Sequence, residues 1–173
     1  MKIILLGYMA SGKSTIGKRL SMARNIPYID LDSYIVEQEG MTITDIFTKE
    51  GEVYFRRQEH NYLKQLLEYQ DDFVLALGGG TPCYANNIEL INSVENTCSI
   101  YLKATILTLF DRLVQEQETR PLVSNLTPEA LREFIAKHLF ERSFFYEQAK
   151  YRIHIDYKTI QEIIDDLQQL CLH

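Results

Sequence analysis

The chain has 173 residues, 46% of them hydrophobic, which is enough for one well-buried core and too little for two comfortable domains, so a single domain over residues 1–173 is expected. Its 24 acidic side chains against 18 basic ones leave a net charge of −6, which argues against a general nucleic-acid or anionic-membrane surface, because both rest on a positive field. Cys83, Cys98 and Cys171 are widely spaced and lack CxxC or Cys/His ligand spacing, so neither a disulfide framework nor zinc is indicated; with no signal-peptide or membrane-span pattern, a reducing cytoplasm fits.

In chain order, the apolar run at residues 3–6 predicts a first strand and residues 13–24 a first helix. Between them runs Gly7-Tyr8-Met9-Ala10-Ser11-Gly12-Lys13-Ser14-Thr15, the spelling and setting of a phosphate-binding P-loop. Glycines let the backbone approach a polyphosphate, and the N–H groups from Ala10 to Thr15 and the helix N-terminus point at it. Lys13 reaches the β- and γ-phosphates, and Ser14 ligates Mg²⁺. The alternative is an ordinary glycine-rich turn, but strand and helix fall where a phosphate loop needs them.

A second strand at 28–30 ends in Asp30-Leu31-Asp32. A period of two places both carboxylates on one side if the extended geometry persists, beyond the carboxyl ends of the strands where ligands bind in parallel sheets. One then helps to hold hydrated Mg²⁺ and the other accepts a hydrogen bond from an attacking hydroxyl. The local alternative for Asp32 is a cap on the next helix, predicted at 33–39. Helices follow at 43–48, where Thr42 and Asp45 form a capping-box variant, and at 52–69. In the latter, Glu59 stands three residues beyond Arg56 and can hold its guanidinium, whose planar fork suits an acidic substrate; a solvated surface pair is the alternative.

The third strand, 73–77, leads into Gly78-Gly79-Gly80, either bare backbone against which a substrate lies or a plain tight turn. It carries no terminal Walker B acid, so Mg²⁺ relies on Ser14, the phosphates, water and Asp30. A helix at 87–93, a strand at 98–102 and a helix at 106–115 come next. The polar stretch around 115–127, holding Arg120-Pro121-Leu122, is the lid candidate, with a plain mobile loop as its alternative. Thr127-Pro128 opens a helix at 128–146 in which Arg142 is a second clamp candidate, its aromatic neighbours being expected in the core. A strand at 153–155 and a helix at 160–170 complete a pattern that reads as a parallel α/β sheet. The four histidines show no mutual spacing that suggests a metal site or a catalytic relay.

In this order the motifs resemble the shikimate kinase family of small P-loop kinases over nearly the whole chain: the P-loop, Asp30-Leu31-Asp32, Ile43-Thr44-Asp45-Ile46-Phe47 leading to Gly51-Glu52 and Phe55-Arg56-Arg57, the three glycines, and Arg120-Pro121-Leu122. The resemblance implies a three-layer α/β/α fold with a five-stranded parallel sheet in the order 2-3-1-4-5, a shikimate-binding region at about 32–60 and the lid. It implies transfer of the ATP γ-phosphoryl group to the shikimate 3-hydroxyl. Asp32 then meets the reacting hydroxyl as base or positioner, Arg56, Gly79 and Arg142 hold shikimate, and Arg120 approaches the transferring phosphate. Arg112 and Lys158 fall near the adenine positions. ATP and shikimate are the expected partners of a monomeric cytoplasmic enzyme using one Mg²⁺, with no nucleic acid and no membrane. Rival readings are a gluconate kinase, an adenylate kinase and a slowly hydrolysing regulatory protein.

Overall fold

The computed structural model describes residues 1–117 and 122–170. Its elements are β1 (Lys2–Leu6), α1 (Lys13–Arg24), β2 (Tyr28–Asp30), α2 (Leu31–Glu39), α3 (Ile43–Lys49), α4 (Glu52–Leu67), β3 (Phe73–Ala76), a 3₁₀ turn (Thr81–Cys83), α5 (Asn87–Ser93), β4 (Thr97–Lys103), α6 (Ile106–Glu116), α7 (Pro128–Tyr146), β5 (Tyr151–His154) and α8 (Ile160–Leu170). The strands form one sheet in the order β2-β3-β1-β4-β5. Every neighbouring pair is parallel, with Ile4 opposite Leu75 on one side and Ser99 on the other. The sheet order expected from the resemblance is therefore present.

Side-chain alternation along β1 builds the three layers. Ile3 and Leu5 face a core made with Ile16 and Leu20 of α1 and Ile163, Ile164 and Leu167 of α8. Ile4 and Leu6 face the opposite core, made with residues of α2 to α7 such as Ile35, Leu63, Ile88, Leu109 and Ile135. All four β1 side chains are fully buried, as a central parallel strand covered on both faces requires. Because β3 lies beside β1, the loops that leave their carboxyl ends, Gly78–Gly80 and the P-loop, run side by side.

Several helix starts follow their sequence signals. The Thr42 hydroxyl accepts from Asp45 N–H and the Thr127 hydroxyl from Ala130 N–H, with Pro128 in the first turn. The region after β2 departs from expectation. Extended geometry stops at Asp30, whose carboxylate accepts from Ser33 N–H at 3.1 Å and caps α2, so the cap is Asp30 rather than Asp32 and the helix begins two residues earlier. β5 also begins two residues earlier, at Tyr151, since an edge strand with exposed Tyr151 and Arg152 lacks the apolar run that marks a covered one. α4 ends at Leu67, short of the predicted 69.

The described ends of the predicted lid stretch are tied to one another. Val123 is fully buried, and the Gln117 carboxamide donates to the carbonyls of Val123 and Leu126, each at 2.7 Å. Arg120 and Pro121 lie outside the described residues. Near Arg142 the expected aromatic core is split. Tyr146 is fully buried, but Phe140 and Phe144 are 86% and 72% exposed, because they lie on the helix face turned away from the sheet.

Candidate active site

The P-loop begins where β1 runs out of sheet. Gly7 has φ 146°, and a Cβ there would stand 2.8 Å from the Leu102 carbonyl oxygen of β4, so only glycine lets the chain turn this close to the next strand. Gly12, at φ 89°, precedes α1 without any side-chain cap, which leaves the first N–H groups of the helix to a ligand. Ala10 holds a left-handed conformation, φ 60°, in the same loop. Lys13 folds across the loop, its ammonium donating to the carbonyls of Gly7 and Tyr8 at 2.9 and 3.0 Å.

A cleft of about 490 Å³ opens over this loop, lined by Ala10, Gly12, Lys13, Ser14, Thr15, Asp30, Asp32, Gly78 and Gly79, and also by Arg112 and Lys158. Asp30 and Asp32 do share one site, although for a reason other than strand alternation: one ends β2 and the other sits in the first turn of α2. Asp30 also accepts from Ser14 Oγ at 3.4 Å and from the Tyr28 hydroxyl at 3.3 Å. Asp32 is open to the water of the cleft, yet protein crowds its carboxylate; burial, then the negative charges of Asp30 and Glu59, raise its pKa to about 6 against the pull of Lys13 and Arg56.

Ser11 differs from its neighbours. Its side chain is 1% exposed with an unpartnered hydroxyl, the residue does not line the cleft, and its N–H donates to the Tyr8 carbonyl at 3.2 Å. Arg112 donates to the Ala10 carbonyl at 3.1 Å, and Lys158 pairs with Asp166 at 2.6 Å at the cleft edge.

The three glycines lie beside the side chains of Asp32, Arg142 and Arg56. A Cβ on Gly78 would stand 3.0 Å from Asp32 Oδ1, one on Gly79 3.6 Å from Arg142 Nη1, and one on Gly80 2.9 Å from Arg56 Nη2. The segment is also a turn, since Thr81 N–H donates to the Gly78 carbonyl. Arg56 is not a solvated surface residue: Nη1 donates to Glu59 Oε2 at 2.8 Å, and the guanidinium lies over the Tyr84 ring at 4.1 Å. Burial opposes its charge, but Glu59, together with Tyr84 and Glu52, outweighs that and raises its pKa. Glu59 is 1% exposed and takes its second hydrogen bond from Thr81 Oγ1 at 2.5 Å.

Sequence reasoning passed over Thr81, Tyr84, Tyr146 and the pair Tyr8 and His138. The Tyr146 hydroxyl donates to the Gly79 carbonyl at 2.5 Å, tying the three-glycine loop to α7; its spacing of four from Arg142, one helical turn, was the available signal. The Tyr8 hydroxyl meets His138 Nδ1 at 3.2 Å beside Arg142, which lies 5.9 Å over the Tyr8 ring. Burial, then Arg142, lower the His138 pKa.

Ser14 and Asp30 offer a hydroxyl and a carboxylate, hard oxygen donors 3.4 Å apart at the phosphate end of the cleft. That set fits magnesium, which keeps several waters and takes the rest of its ligands from phosphates. No group of three or more His, Cys, Asp or Glu with metal-holding geometry occurs among the described residues.

A parallel sheet of this order, a P-loop at its central strand and a cleft over that loop walled by Asp30, Asp32, Gly78 and Gly79 are the architecture of a P-loop kinase. The shikimate kinase family model matches residues 9–171. The shikimate kinase of Flavobacterium johnsoniae is 47% identical over 166 residues, 96% of each chain. The crystal structure of shikimate kinase from Bacteroides thetaiotaomicron superposes with a TM-score of 0.90 at 35% identity, covering 98% of this chain and 97% of that one. That of the Acinetobacter baumannii shikimate kinase in complex with shikimate gives 0.85 at 31% identity, covering 99% and 92%. The chain belongs to the shikimate kinase family.

Proposed function

We propose that this protein transfers the γ-phosphoryl group of ATP to the 3-hydroxyl of shikimate, giving shikimate 3-phosphate and ADP on the route to chorismate and the aromatic amino acids, as a cytoplasmic monomer working as one kinase domain. The observation that carries the reading is the position of Asp32, which lines the phosphate-loop cleft and stands where a Cβ on Gly78 would lie 3.0 Å from its Oδ1, at the start of the loop that Arg56 and Arg142 flank. An acceptor hydroxyl held by those arginines is thereby presented to a phosphate held by the P-loop.

Phosphoryl transfer through a loose transition state asks for alignment and charge stabilisation more than for covalent help. Lys13 and the backbone N–H groups of residues 10–15 hold the phosphates, with Arg112 and Lys158 toward the adenine. Arg56 and Arg142 grip the acidic acceptor, Gly78, Gly79 and Gly80 leave it room, and Asp32 accepts the proton or hydrogen bond of the attacking hydroxyl. Ser14, and Asp30 through water, would hold Mg²⁺, which when bound neutralises part of the phosphate charge. Arg120, from the lid at about 115–127, completes the charge balance. The acceptor side is the region at about 32–60.

A coupled ADP-release assay with ATP and Mg²⁺ tests this by comparing shikimate, gluconate, AMP and no acceptor. Release with shikimate alone is expected. Release with gluconate or AMP would keep the kinase and overturn the acceptor, and release without an acceptor would favour a regulatory hydrolase.

A further inference from the structure

We infer that His60 is a positioning residue for the acceptor site, holding the three-glycine loop in register with Arg56 through the buried amide of Asn87. The inference rests on the assignment of Arg56 to the acceptor.

Four side chains close a ring between α4 and the segment that follows the glycines. Glu59 accepts from Thr81 Oγ1 at 2.5 Å, the Thr81 carbonyl accepts from Asn87 Nδ2 at 2.8 Å, and Asn87 Oδ1 meets His60 Nδ1 at 2.7 Å. His60 follows Glu59 directly in α4, so the backbone completes the circuit. Thr81 and Asn87 are fully buried and Glu59 is 1% exposed, which puts three polar side chains where each unmet hydrogen bond counts in full.

The ring also fixes proton positions. A carbonyl only accepts, so the Asn87 atom facing Thr81 is the amide nitrogen and the one facing His60 is the oxygen. His60 Nδ1 therefore carries a hydrogen and donates. The consequence reaches the acceptor site at one place: Glu59 uses its other oxygen for Arg56, and Arg56 packs against Gly80, one residue before Thr81. With the His60 donor gone, Asn87 Oδ1 is left unmet and the Thr81 turn keeps Glu59 as its one tie to α4 within the ring, which loosens Gly80 beside the guanidinium. The phosphate loop is not a member of the ring. A defect in the ring accordingly weakens ground-state and transition-state binding of the acceptor alike.

Steady-state kinetics with His60→Ala, His60→Asn and Arg56→Ala test this. His60→Ala is expected to raise KM for shikimate about tenfold, with kcat within about threefold and KM for ATP unchanged. His60→Asn, whose amide nitrogen can stand where Nδ1–H stands, is expected to restore KM to within about threefold of the wild type. A fall in kcat alone, an equal rise in both KM values, or no rescue by Asn overturns the inference. If His60→Ala yields no folded enzyme, the wild-type imidazole ¹H–¹⁵N spectrum decides: an Nδ1–H tautomer whose signal moves on saturation with shikimate supports it, and an Nε2–H tautomer or an unmoved signal overturns it. If Arg56→Ala raises KM for shikimate and His60→Ala does not, this inference alone falls. If neither does, the acceptor assignment falls with it.

Discussion

Gly80 and Arg56 are packed so closely that a Cβ on Gly80 would stand 2.9 Å from Nη2 and 3.1 Å from Nη1 of the guanidinium. The backbone at Gly80, φ −93° and ψ −21°, is open to any residue, so space next to Arg56 rather than conformation calls for glycine. Gly80→Ala is therefore expected to push the guanidinium aside, raising KM for shikimate about tenfold while changing stability by less than about 1 kcal/mol. Steady-state kinetics and thermal unfolding on the same preparation check both halves, and an unchanged KM would separate Arg56 from the acceptor.

Glu59→Ala should act on stability as well as on binding. It leaves the Arg56 guanidinium, whose side chain is 18% exposed, with Glu52 at 3.5 Å as its remaining carboxylate, and leaves the Thr81 hydroxyl unmet in the interior. Breaking one side of a buried pair typically costs 3–5 kcal/mol; with Glu52 still near, about 2 kcal/mol is expected, a Tm lower by roughly 4–8 °C. Glu59→Gln, which can still accept from Thr81, should lose less. Equal melting temperatures for the wild type and Glu59→Ala would contradict the role given to this pair.

Much of this site could be read in the sequence because its parts are local. A P-loop is a contiguous spelling, Arg56 and Glu59 are a helical i, i+3 pair, and three successive glycines after an apolar run mark a strand's end. What joins these parts depends on sheet order, which neither composition nor periodicity carries and which came through the family resemblance. The sharing of one cleft by Asp30 and Asp32 was expected from a strand continuing past Asp30. The structure achieves it with a helix that starts there, because Asp30 finds the Ser33 N–H and caps it. Tyr146 reaches the Gly79 carbonyl from α7, far along the chain, and the Asn87 amide matters only because folding buries it between the Thr81 carbonyl and His60, so neither contact is spelled out locally.

Arg120 falls in the proposed lid, where the family resemblance gives it a role at the transferring phosphate. A group that reaches the transferring phosphate when the lid closes contributes to the transition state more than to the ground-state complex. Arg120→Ala is expected to lower kcat by about 10²-fold or more, with a smaller change in shikimate affinity measured by direct titration. A change confined to KM would remove it from the chemistry.

The raised pKa of Asp32, about 6, sets a pH dependence. Its role needs the carboxylate, so kcat/KM for shikimate should fall about tenfold per pH unit below roughly pH 6, reporting the free enzyme. Crowding by protein and the neighbouring charges of Asp30 and Glu59 place that limb well above the range of an ordinary aspartate. A profile flat down to pH 5 would show that Asp32 ionises elsewhere or is not required.

The same shift predicts that Asp32→Asn makes the protein more stable as it makes it inactive. A carboxyl with a higher pKa in the folded than in the unfolded state favours folding through its bound proton; this contribution is complete below about pH 4 and is lost as pH rises through about 6. At neutral pH the ionised group opposes folding. The full shift corresponds to about 3 kcal/mol, but Asp32 is exposed to the water of the cleft, and screening there reduces the figure to about 1 kcal/mol. Asn, neutral at every pH, should raise Tm by about 2–4 °C at pH 7.5 and give little difference at pH 4. Turnover should be largely abolished while ATP binding stays near the wild-type value, because Lys13 and the P-loop backbone are untouched. Thermal unfolding at the two pH values and nucleotide titration check these effects; a variant less stable than the wild type at pH 7.5, or one that turns over normally, would show that Asp32 is a structural cap-region residue and not the group at the acceptor hydroxyl.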